Sequence, residues 1–528
     1  MKSRGRKTVQ GLVVAMMCML VGCQNIEQNP EGLIEQDVTT LEWYVNYSWY
    51  TANWGDSVVS KEITDNTGVA IEFITPVGSE NTALNAKIAS GNLPDIITLG
   101  WWESQVSTLV EGEYVYALNE LADMYDLYFY EVADPTVIDW NTMIDGNLYY
   151  YPNSFYTPED YEEDQNIASN INFLVRQDIY EAIGSPDMTT PQGFYEAVKM
   201  ATELFPQVDG KDLIPIGSYA LTVSGCVSFD EYLMDFLAIP YEVDGVYYDR
   251  YTDSEYITWL KLFRQLAQEG YLSEEIFIDQ RTQLEEKAAD GRYFCMMIQG
   301  VDIEAQQNLL SEKTQGAVYI AVDGPKNSSK DDPVLPGLGT NGWTVTMISK
   351  SCENPDVAIS FLTYLMSEEA QKLLYLGVEG EMYEELDGEV VIYEEVSSLL
   401  ETNRASYDQI YGGNNTYWML QDSSMQLQWL SSFEDTTNQF STWAFPYTQY
   451  LGQYEISFSF NTSIAYLDGQ INTLWSETLP MLIFAKTESE FDEVLATFVE
   501  ERNALGYDRY IDYCTQEMNK NKERLGIQ

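Results

Sequence analysis

The 528-residue sequence contains no histidine. Histidine is the side chain that most often serves as a general base or a metal ligand near neutral pH. Its absence excludes a serine–histidine triad, a histidine-ligated zinc site and a histidine–cysteine nucleophile pair. Pairs of carboxylates remain available for acid–base catalysis, since the chain has 84 acidic residues, but their abundance by itself indicates no active site.

Cysteine is scarce as well, and the six cysteines include no C-x-x-C pair. The sequence therefore carries no readable metal or redox motif, and we expect neither a metal nor a cofactor. Beyond the N-terminal segment, four cysteines remain: Cys226, Cys295, Cys352 and Cys514. Outside a cell they could form one or two disulfides, or they could stay as buried thiols, and the sequence leaves both possibilities open.

Basic residues are few: 27 lysines and arginines against 84 acids give a net charge of −57. Nucleic acid is disfavoured as a partner, because binding phosphates requires a basic surface. An anionic ligand is disfavoured less firmly, since one local arginine can override the overall field. The acidity is typical of a solvated, secreted surface, and a specifically cationic substrate is the alternative.

Long hydrophobic runs are missing after residue 22, so we expect no membrane-spanning helix there. Residues 1–22 have a basic start and a short apolar stretch, which is typical of a signal peptide. The stretch ends in Leu20-Val21-Gly22-Cys23, which resembles a bacterial lipobox. That resemblance implies diacylglycerol on Cys23, with a flexible tether over residues 23–39; an ordinary signal peptide is the alternative.

Residues 84–99 read as a helix, a glycine stop at Gly91 and a buried β-branched strand. Two earlier strands are predicted at residues 40–45 and 69–74, with a helix between them that Asp56 caps and Gly68 closes. Strands that alternate with helices indicate an α/β fold built on a parallel, doubly wound sheet.

Several separated blocks resemble the bacterial extracellular solute-binding proteins of family 1, the receptors of ABC importers. The blocks are residues 89–96, 173–178 with Gly184 and Pro186, 342–350, 354–356, 367–371, 377–383, 479–480 and 505–508. The resemblance implies a two-lobed, type II periplasmic-binding-protein fold, with a mixed sheet flanked by helices in each lobe and a hinge between them. We expect residues 40–150 and 290–322 in lobe 1, and 151–289 and 337–528 in lobe 2.

The resemblance also implies a function: capture of an oligosaccharide and its delivery to membrane-spanning ABC permease subunits. We expect a monomer without catalytic residues, held at the outer face of the cell membrane by its lipid alone. The alternatives are a receptor for peptides or another small solute and, from a different class, a surface glycan-degrading enzyme. Some relatives carry a calcium loop, but residues 207–215 are too short and offer only Asp209 and Asp212 as carboxylates, so we expect no calcium there.

A sugar-binding cleft needs aromatic faces for C–H surfaces and polar groups for hydroxyls. Aromatic residues in irregular stretches and just past strand ends are the natural candidates, because ligands bind at the carboxyl edge of open α/β sheets. The predicted ligand-binding residues are Trp49, Tyr50, Trp54, Asp95, Trp101, Trp102, Tyr151, Trp343, Tyr417, Trp418 and Trp443, with Asn46, Glu103 and Asn415 as weaker polar candidates. Trp259 and Trp475 lie on apolar helical faces and are predicted to be core.

Overall fold

The computed structural model describes residues 38–163, 167–314, 316–386, 388–432, 438–459 and 462–527. The predicted signal peptide, the lipidation site Cys23 and the tether up to residue 37 lie outside the described residues. In the described part, residues 38–527 form one compact unit.

The strands, numbered β1 to β17 along the chain, are Thr39–Val45, Val69–Ile74, Ile96–Gly100, Tyr151–Pro152, Ile171–Arg176, Gln207–Val208, Lys211–Asp212, Ile214–Gly217, Glu242–Val243, Val246–Tyr247, Tyr293–Gln299, Tyr319–Ala321, Leu335–Pro336, Thr344–Ile348, Tyr383–Leu386, Glu389–Ile392 and Thr448–Gln449. The helices, α1 to α22, are Val58–Thr67, Glu80–Ser90, Ser104–Glu111, Leu118–Tyr125, Phe129–Val132, Pro135–Asn141, Pro158–Glu163, Gln177–Ala182, Pro191–Leu204, Leu233–Phe236, Ser254–Gln268, Arg281–Ala289, Glu304–Lys313, Pro355–Met366, Glu368–Tyr375, Glu394–Thr402, Arg404–Ile410, Ser423–Gln426, Asn438–Ala444, Ser463–Ile483, Glu488–Leu505 and Tyr507–Leu525.

The first sheet has the strand order β2-β1-β3-β14-β4. The strands β1, β2 and β3 run parallel, as the alternation of strands and helices predicts. The strand β14 runs antiparallel to both β3 and β4, which makes the sheet mixed. Alternate residues of β1 enter different cores: Trp43 packs on one face of the sheet and Tyr44 on the other. Both faces are therefore covered, as is usual for α/β sheets.

The second sheet has the order β12-β5-β11-β8. The strand β5 is antiparallel to β11 and β12, whereas β8 is parallel to β11. Alternate residues of β5 also enter different cores, with Phe173 in one and Leu174 in another. Trp259 and Trp475 are fully buried in the larger of these cores, which confirms that they are core residues.

The strand pairing departs from the predicted division into lobes at four strands: β4, β11, β12 and β14. Residues 290–322 were expected in lobe 1, but β11 pairs with β5 and β8, and β12 pairs with β5, all in the second sheet. The strands β14 and β4 were expected in lobe 2, but both belong to the first sheet. The physical reason is that fully buried strands share one apolar composition, and only the path of the crossover connections decides which sheet each one joins.

The chain passes between the two sheets more than once, and the connecting segments are hydrogen-bonded to one another. The short strands β13 and β17 pair there in parallel. Ser169 ties the segments together, because its Oγ donates to the carbonyl of Pro336 at 2.7 Å and its backbone N–H donates to Thr448 Oγ1 at 2.8 Å. The strand β13 lies within the Pro/Gly-rich segment of residues 323–342.

The four described cysteines are buried free thiols. The sequence left open whether these cysteines form disulfides or stay as thiols, and in the structure they are thiols.

Candidate functional site

Three loops converge at the carboxyl edge of the first sheet. The strands β1 and β3 end there and lead into Asn46 and Trp101, while β14 begins there, directly after Trp343. The register places Thr344 opposite Gly100, so the loop ends must be neighbours. A short 3-10 turn at Trp418–Leu420 packs against the same edge. Ligands of open α/β sheets bind at such an edge.

Four rings form what we call the aromatic wall: Tyr47, Trp49, Trp343 and Trp418. The rings of Trp49 and Trp343 are nearly parallel, with centroids 6.0 Å apart and an interplanar angle of 9°. Trp418 lies 4.6 Å from Trp343 and 5.9 Å from Trp49. Tyr47 stacks on Trp343 at 5.3 Å. Trp49, Trp343 and Trp418 were predicted as ligand-binding residues from three distant segments. The structure places their rings in contact.

Exposure differs along the wall. Trp49 is 46% exposed, Trp343 is partly exposed and Trp418 is only 8% exposed. The rings of Trp343 and Trp418 therefore support the more exposed indole of Trp49. The Tyr47 hydroxyl is buried and has no hydrogen-bond partner among the described residues. Leaving a buried polar group without a hydrogen bond is costly.

Asn153 holds the wall in place and was not predicted. It is fully buried, and its Oδ1 accepts from the backbone N–H of Thr344 at 2.7 Å while its Nδ2 donates to the carbonyl of Trp418 at 2.9 Å. The carbonyl of Asn153 accepts from the N–H of Trp343. Gly342 is required beside it, because φ is +62° and a Cβ would lie 1.8 Å from the Asn153 carbonyl oxygen.

A polar pair lies next to the wall. Glu103 accepts from the N–H of Gly100 at 2.7 Å through one oxygen and from Asn46 Nδ2 at 2.6 Å through the other. The Tyr44 hydroxyl donates to Asn46 Oδ1. Burial raises the pKa of Glu103 above its ordinary value. Asn46 and Glu103 were the weaker candidates in the sequence, and their geometry is that of a preorganised polar group.

Tyr50, Trp54, Tyr151 and Tyr417 lie behind the wall, packed into the core. Tyr50 and Tyr417 are buried, and their hydroxyls donate to the carbonyls of Thr416 and Asn53 respectively. Trp54 packs on the Tyr417 ring at 4.8 Å. The Tyr151 hydroxyl accepts from the backbone N–H of Asp134. We assign these four side chains to packing rather than to ligand contact, because their polar atoms are already engaged by the protein.

Asp95 lies at the wrong end of the sheet for a ligand. It precedes β3, so it sits at the amino edge, and its Oδ2 accepts from the backbone N–H of Glu42 at 2.8 Å. Asn415 is likewise engaged, through a reciprocal pair of hydrogen bonds with Gln426. Sequence reasoning selected Asp95 for its residue type beside a strand, but the direction of the strand puts it on the opposite edge.

Trp101, Trp102 and Trp443 stay as candidates. Trp101 and Trp102 follow β3 at the carboxyl edge as an edge-to-face pair, with centroids 6.0 Å apart, and Trp102 is 56% exposed. Trp443 belongs with the second sheet, where it stacks on Phe236 at 5.7 Å and donates from Nε1 to Asp323.

The second sheet has a polar edge that the sequence did not reveal. Gln299, which ends β11, donates from Nε2 to the Tyr232 hydroxyl and from its backbone N–H to the Tyr219 hydroxyl, each at 3.0 Å. Tyr219 in turn donates to Asp302 at 2.6 Å, and Arg281 donates to the other Asp302 oxygen at 3.0 Å. These residues come from separate segments with no shared motif, so no sequence signal could have found them.

In the segment where we expect no calcium, β6 and β7 form a β-hairpin. Its turn residues Asp209 and Gly210 have positive φ. The carboxylates of Asp209 and Asp212 accept from Thr314 and Gln207 respectively, within the hairpin's surroundings. Across the described ranges, no cluster of three or more acidic or cysteine side chains is arranged to hold a metal ion.

With this geometry in view, the comparisons with known proteins identify the family. The profile of the family described as bacterial extracellular solute-binding protein matches residues 59–378, which is more than half of the chain. The chain belongs to this family. Its two-lobed α/β fold is shared by solved structures of solute-binding proteins.

Two curated relatives from Bacillus subtilis (strain 168) are 22% identical to this chain. The polygalacturonan/rhamnogalacturonan-binding protein YtcQ aligns over 385 residues, covering 70% of this chain and 72% of the relative. The lipoprotein LipO aligns over 400 residues, covering 74% and 76%. Among solved structures, FusA of S. pneumoniae, a substrate-binding protein in complex with kestose, gives a TM-score of 0.69 at 15% identity and covers 92% of this chain and all of its own. The alginate-binding protein AlgQ2, solved without calcium, gives 0.65 at 16% identity, covering 91% and 98%.

Among the described helices of this solute-binding protein, none combines the length and the apolar character that crossing a bilayer requires.

Proposed function

We propose that this solute-binding protein is the lipid-anchored receptor of an ABC importer, which captures an oligosaccharide between its two lobes and delivers it to membrane-spanning permease subunits. The aromatic wall is the observation that carries the proposal. Trp49 presents an open indole face that Trp343 and Trp418 support from behind. Flat, rigid rings suit the C–H face of a sugar and lose little conformational entropy on binding.

Polar groups around the wall supply the other half of sugar recognition. Asn46 and Glu103 are fixed by hydrogen bonds, and the Tyr47 hydroxyl is unpartnered in the described part of the chain. Trp102 adds a second exposed indole at the same edge of the sheet. Pockets that combine apolar faces with a few oriented polar groups are typical of small-molecule sites.

The relatives support the same class of ligand. YtcQ is named as a polygalacturonan/rhamnogalacturonan-binding protein, and FusA was solved with kestose. These names describe other proteins at low sequence identity, so they support an oligosaccharide as the class of ligand and do not select one sugar.

Isothermal titration calorimetry against a panel of oligosaccharides and peptides tests the proposal, with chromatography of each mixture after incubation. We expect heat from at least one oligosaccharide and recovery of that sugar unchanged. Heat from peptides alone would replace the sugar with a peptide ligand. Appearance of shorter sugars would instead indicate a glycan-degrading enzyme.

Trp49→Ala is the variant that connects binding with the wall. Because the indole is half exposed, its removal leaves the core intact, so we expect affinity for the sugar to fall at least about tenfold with little change in Tm. Tyr466→Ala is the matched control, since Tyr466 is an exposed aromatic on α20. Equal affinities in the wild type and Trp49→Ala would remove the wall from the binding site.

Anchoring is tested separately in the full-length chain. Cys23→Ala removes the thiol that the lipobox resemblance places at the lipid. Two acyl chains hold a protein firmly to a bilayer, whereas a single chain holds it only weakly. We therefore expect the wild type in the membrane fraction and the variant in the medium or as unprocessed precursor. Release of the wild type into the medium would contradict the lipid anchor.

A further inference from the structure

Charge at the candidate site bears on which sugar it can hold. At the carboxyl edge of the first sheet, the loops contain no lysine or arginine: residues 46–54, 100–103, 152–157, 341–343 and 412–422. Carboxylates are present instead. Glu103 lies beside Asn46, and Glu80 accepts from the backbone N–H of Ser48 at 2.8 Å.

The cations that approach these loops from outside are engaged by other groups of the protein. Arg404 pairs with Asp408 at 2.6 Å and donates to the side chain and carbonyl of Asn414. Lys87 lies over the Tyr44 ring, whose core is on the opposite face of the sheet from that of Tyr47.

Arg524 approaches the loop at residues 341–343. Its guanidinium donates to the carbonyls of Asp139 and Trp140, and the Trp140 indole donates to Asn341 at 2.8 Å. None of these arrangements places a free positive charge on the aromatic wall.

The edge of the second sheet has the same balance of charge. Residues 217–225 and 299–304 contain no lysine or arginine. The guanidinium of Arg281 reaches this edge, but it is shared between Asp302 at 3.0 Å and Glu285 at 2.7 Å. One cation against two carboxylates leaves the group negative overall.

A uronic-acid sugar would bring its carboxylate into this setting. Anionic ligands are held by bidentate arginines, by lysines or by helix N-termini that offset the charge. Here the carboxylates of Glu103 and Glu80 carry the same sign as the ligand, and placing like charges side by side is unfavourable. Sugar hydroxyls meet no such penalty, because carboxylates and amides accept their hydrogen bonds.

We infer that the ligand is an uncharged oligosaccharide and that the site discriminates against uronic-acid sugars of the same size. This inference rests on the proposed function and names its class of substrate. It separates this chain from YtcQ, whose name specifies polymers rich in galacturonate. The overall acidity of the sequence disfavoured an anion without excluding a local arginine. In the structure, Arg404 and Arg281 are paired with carboxylates, and Arg524 is bound to backbone carbonyls.

A matched set of ligands tests the inference. The tightest neutral sugar from the calorimetric panel is compared with the same sugar after oxidation of its terminal primary hydroxyl to a carboxylate, and with the methyl ester of that acid. The panel also includes galacturonate oligomers and de-N-acetylated chitin oligomers. We expect the acid to bind at least about tenfold more weakly than the parent sugar and the methyl ester to recover most of the difference.

Glu103→Gln tests whether the charge of Glu103 causes the weaker binding of the acid. The amide can still accept from Gly100, and its NH₂ group can donate to Asn46 once the Asn46 amide turns over, because the Tyr44 hydroxyl can accept as well as donate. We expect Glu103→Gln to reduce the difference in affinity between the acid and the parent sugar. Glu500→Gln, at an exposed position on α21, should leave that difference unchanged. If both variants reduce the difference in affinity, net charge causes the discrimination, and the inferred effect of charges at the site is overturned.

The outcomes separate the inference from the proposed function. Binding of the acid as tightly as the parent sugar, or a galacturonate or chitosan oligomer as the tightest ligand, overturns the inference and leaves the receptor for oligosaccharides standing. Loss of that acid binding in Arg281→Gln would show that this guanidinium serves the ligand after all. Absence of heat from every sugar overturns the proposed function and, with it, the inference.

Discussion

At the scale of single residues, the site depends on a few buried groups that hold exposed ones. Asn153 has no access to solvent, yet it fixes the backbone on both sides of the aromatic wall through Thr344 and Trp418. Trp343 could be anticipated, since it sits where a predicted strand begins. Asn153 could not, because nothing in the sequence near residue 153 shows that its side chain reaches segments about 190 and 265 residues away.

Asn153→Ala tests this role. Truncation leaves the N–H of Thr344 and the carbonyl of Trp418 without partners in a buried setting, so we expect a loss of about 2–4 kcal/mol in the free energy of unfolding. Affinity for the sugar should fall as well, because Trp343 and Trp418 lose their common support. Urea unfolding and calorimetry measure the two effects, and Asn503→Ala, at an exposed position on α21, is the control. A variant as stable as the wild type would contradict the role.

At the scale of elements, local chemistry identified most helix ends correctly. Gly68 and Gly91, the two predicted helix stops, both end helices in the left-handed conformation. One cap was wrong: Asp56 was expected to cap α1, but Ser57 does so, accepting from the N–H of Ser60. The two residues are adjacent and both are good caps, so only the tertiary contact of Ser57 with Tyr417 distinguishes them.

Thr190 offers an element-level prediction, because its side chain accepts from the N–H of Gly193 at the start of α9. Thr190→Ala removes that bond and should lower the free energy of unfolding by about 1 kcal/mol. Thr190→Ser keeps the hydroxyl and should restore most of the loss. Equal losses in both variants, measured by urea unfolding, would show that the methyl group rather than the cap matters.

At the scale of the whole molecule, buried carboxyls make stability depend on pH. Burial raises the pKa of Asp230, Asp422 and Glu455 to about 7, and that of Asp468 to about 6. In the unfolded chain these groups titrate near about 4. Between these values the folded protein binds more protons than the unfolded chain. The stabilisation is therefore fully present below about pH 4 and is lost as the pH rises through about 7.

We accordingly expect Tm to increase by a few degrees when the pH is lowered from 8 to 5.5. Reduced self-repulsion of the −57 charge acts in the same direction. Glu455→Gln should reduce the increase, because the amide oxygen can still accept from Asn341 while the titrating group is gone. Glu500→Gln, which is exposed, should not change it. A Tm that falls over this range in the wild type would contradict the assignment.

The sequence by itself determined the class of the protein: the α/β alternation, the parallel start of the first sheet, the excluded histidine chemistry and the family. The alternation, the parallel strands and the excluded chemistry follow from local periodicity, caps and composition, each set by residues close together in the chain. The family follows from the resemblance of separated sequence blocks. Tertiary structure alone decided the strand membership of residues 293–299 and 344–348, and the convergence of Trp49, Trp343 and Trp418. It also decided that Asp95 lies at the opposite edge of the first sheet and that Asn153 contacts both sides of the aromatic wall. Such features depend on contacts between distant segments, and buried strands of similar composition carry no label for the partner they will join.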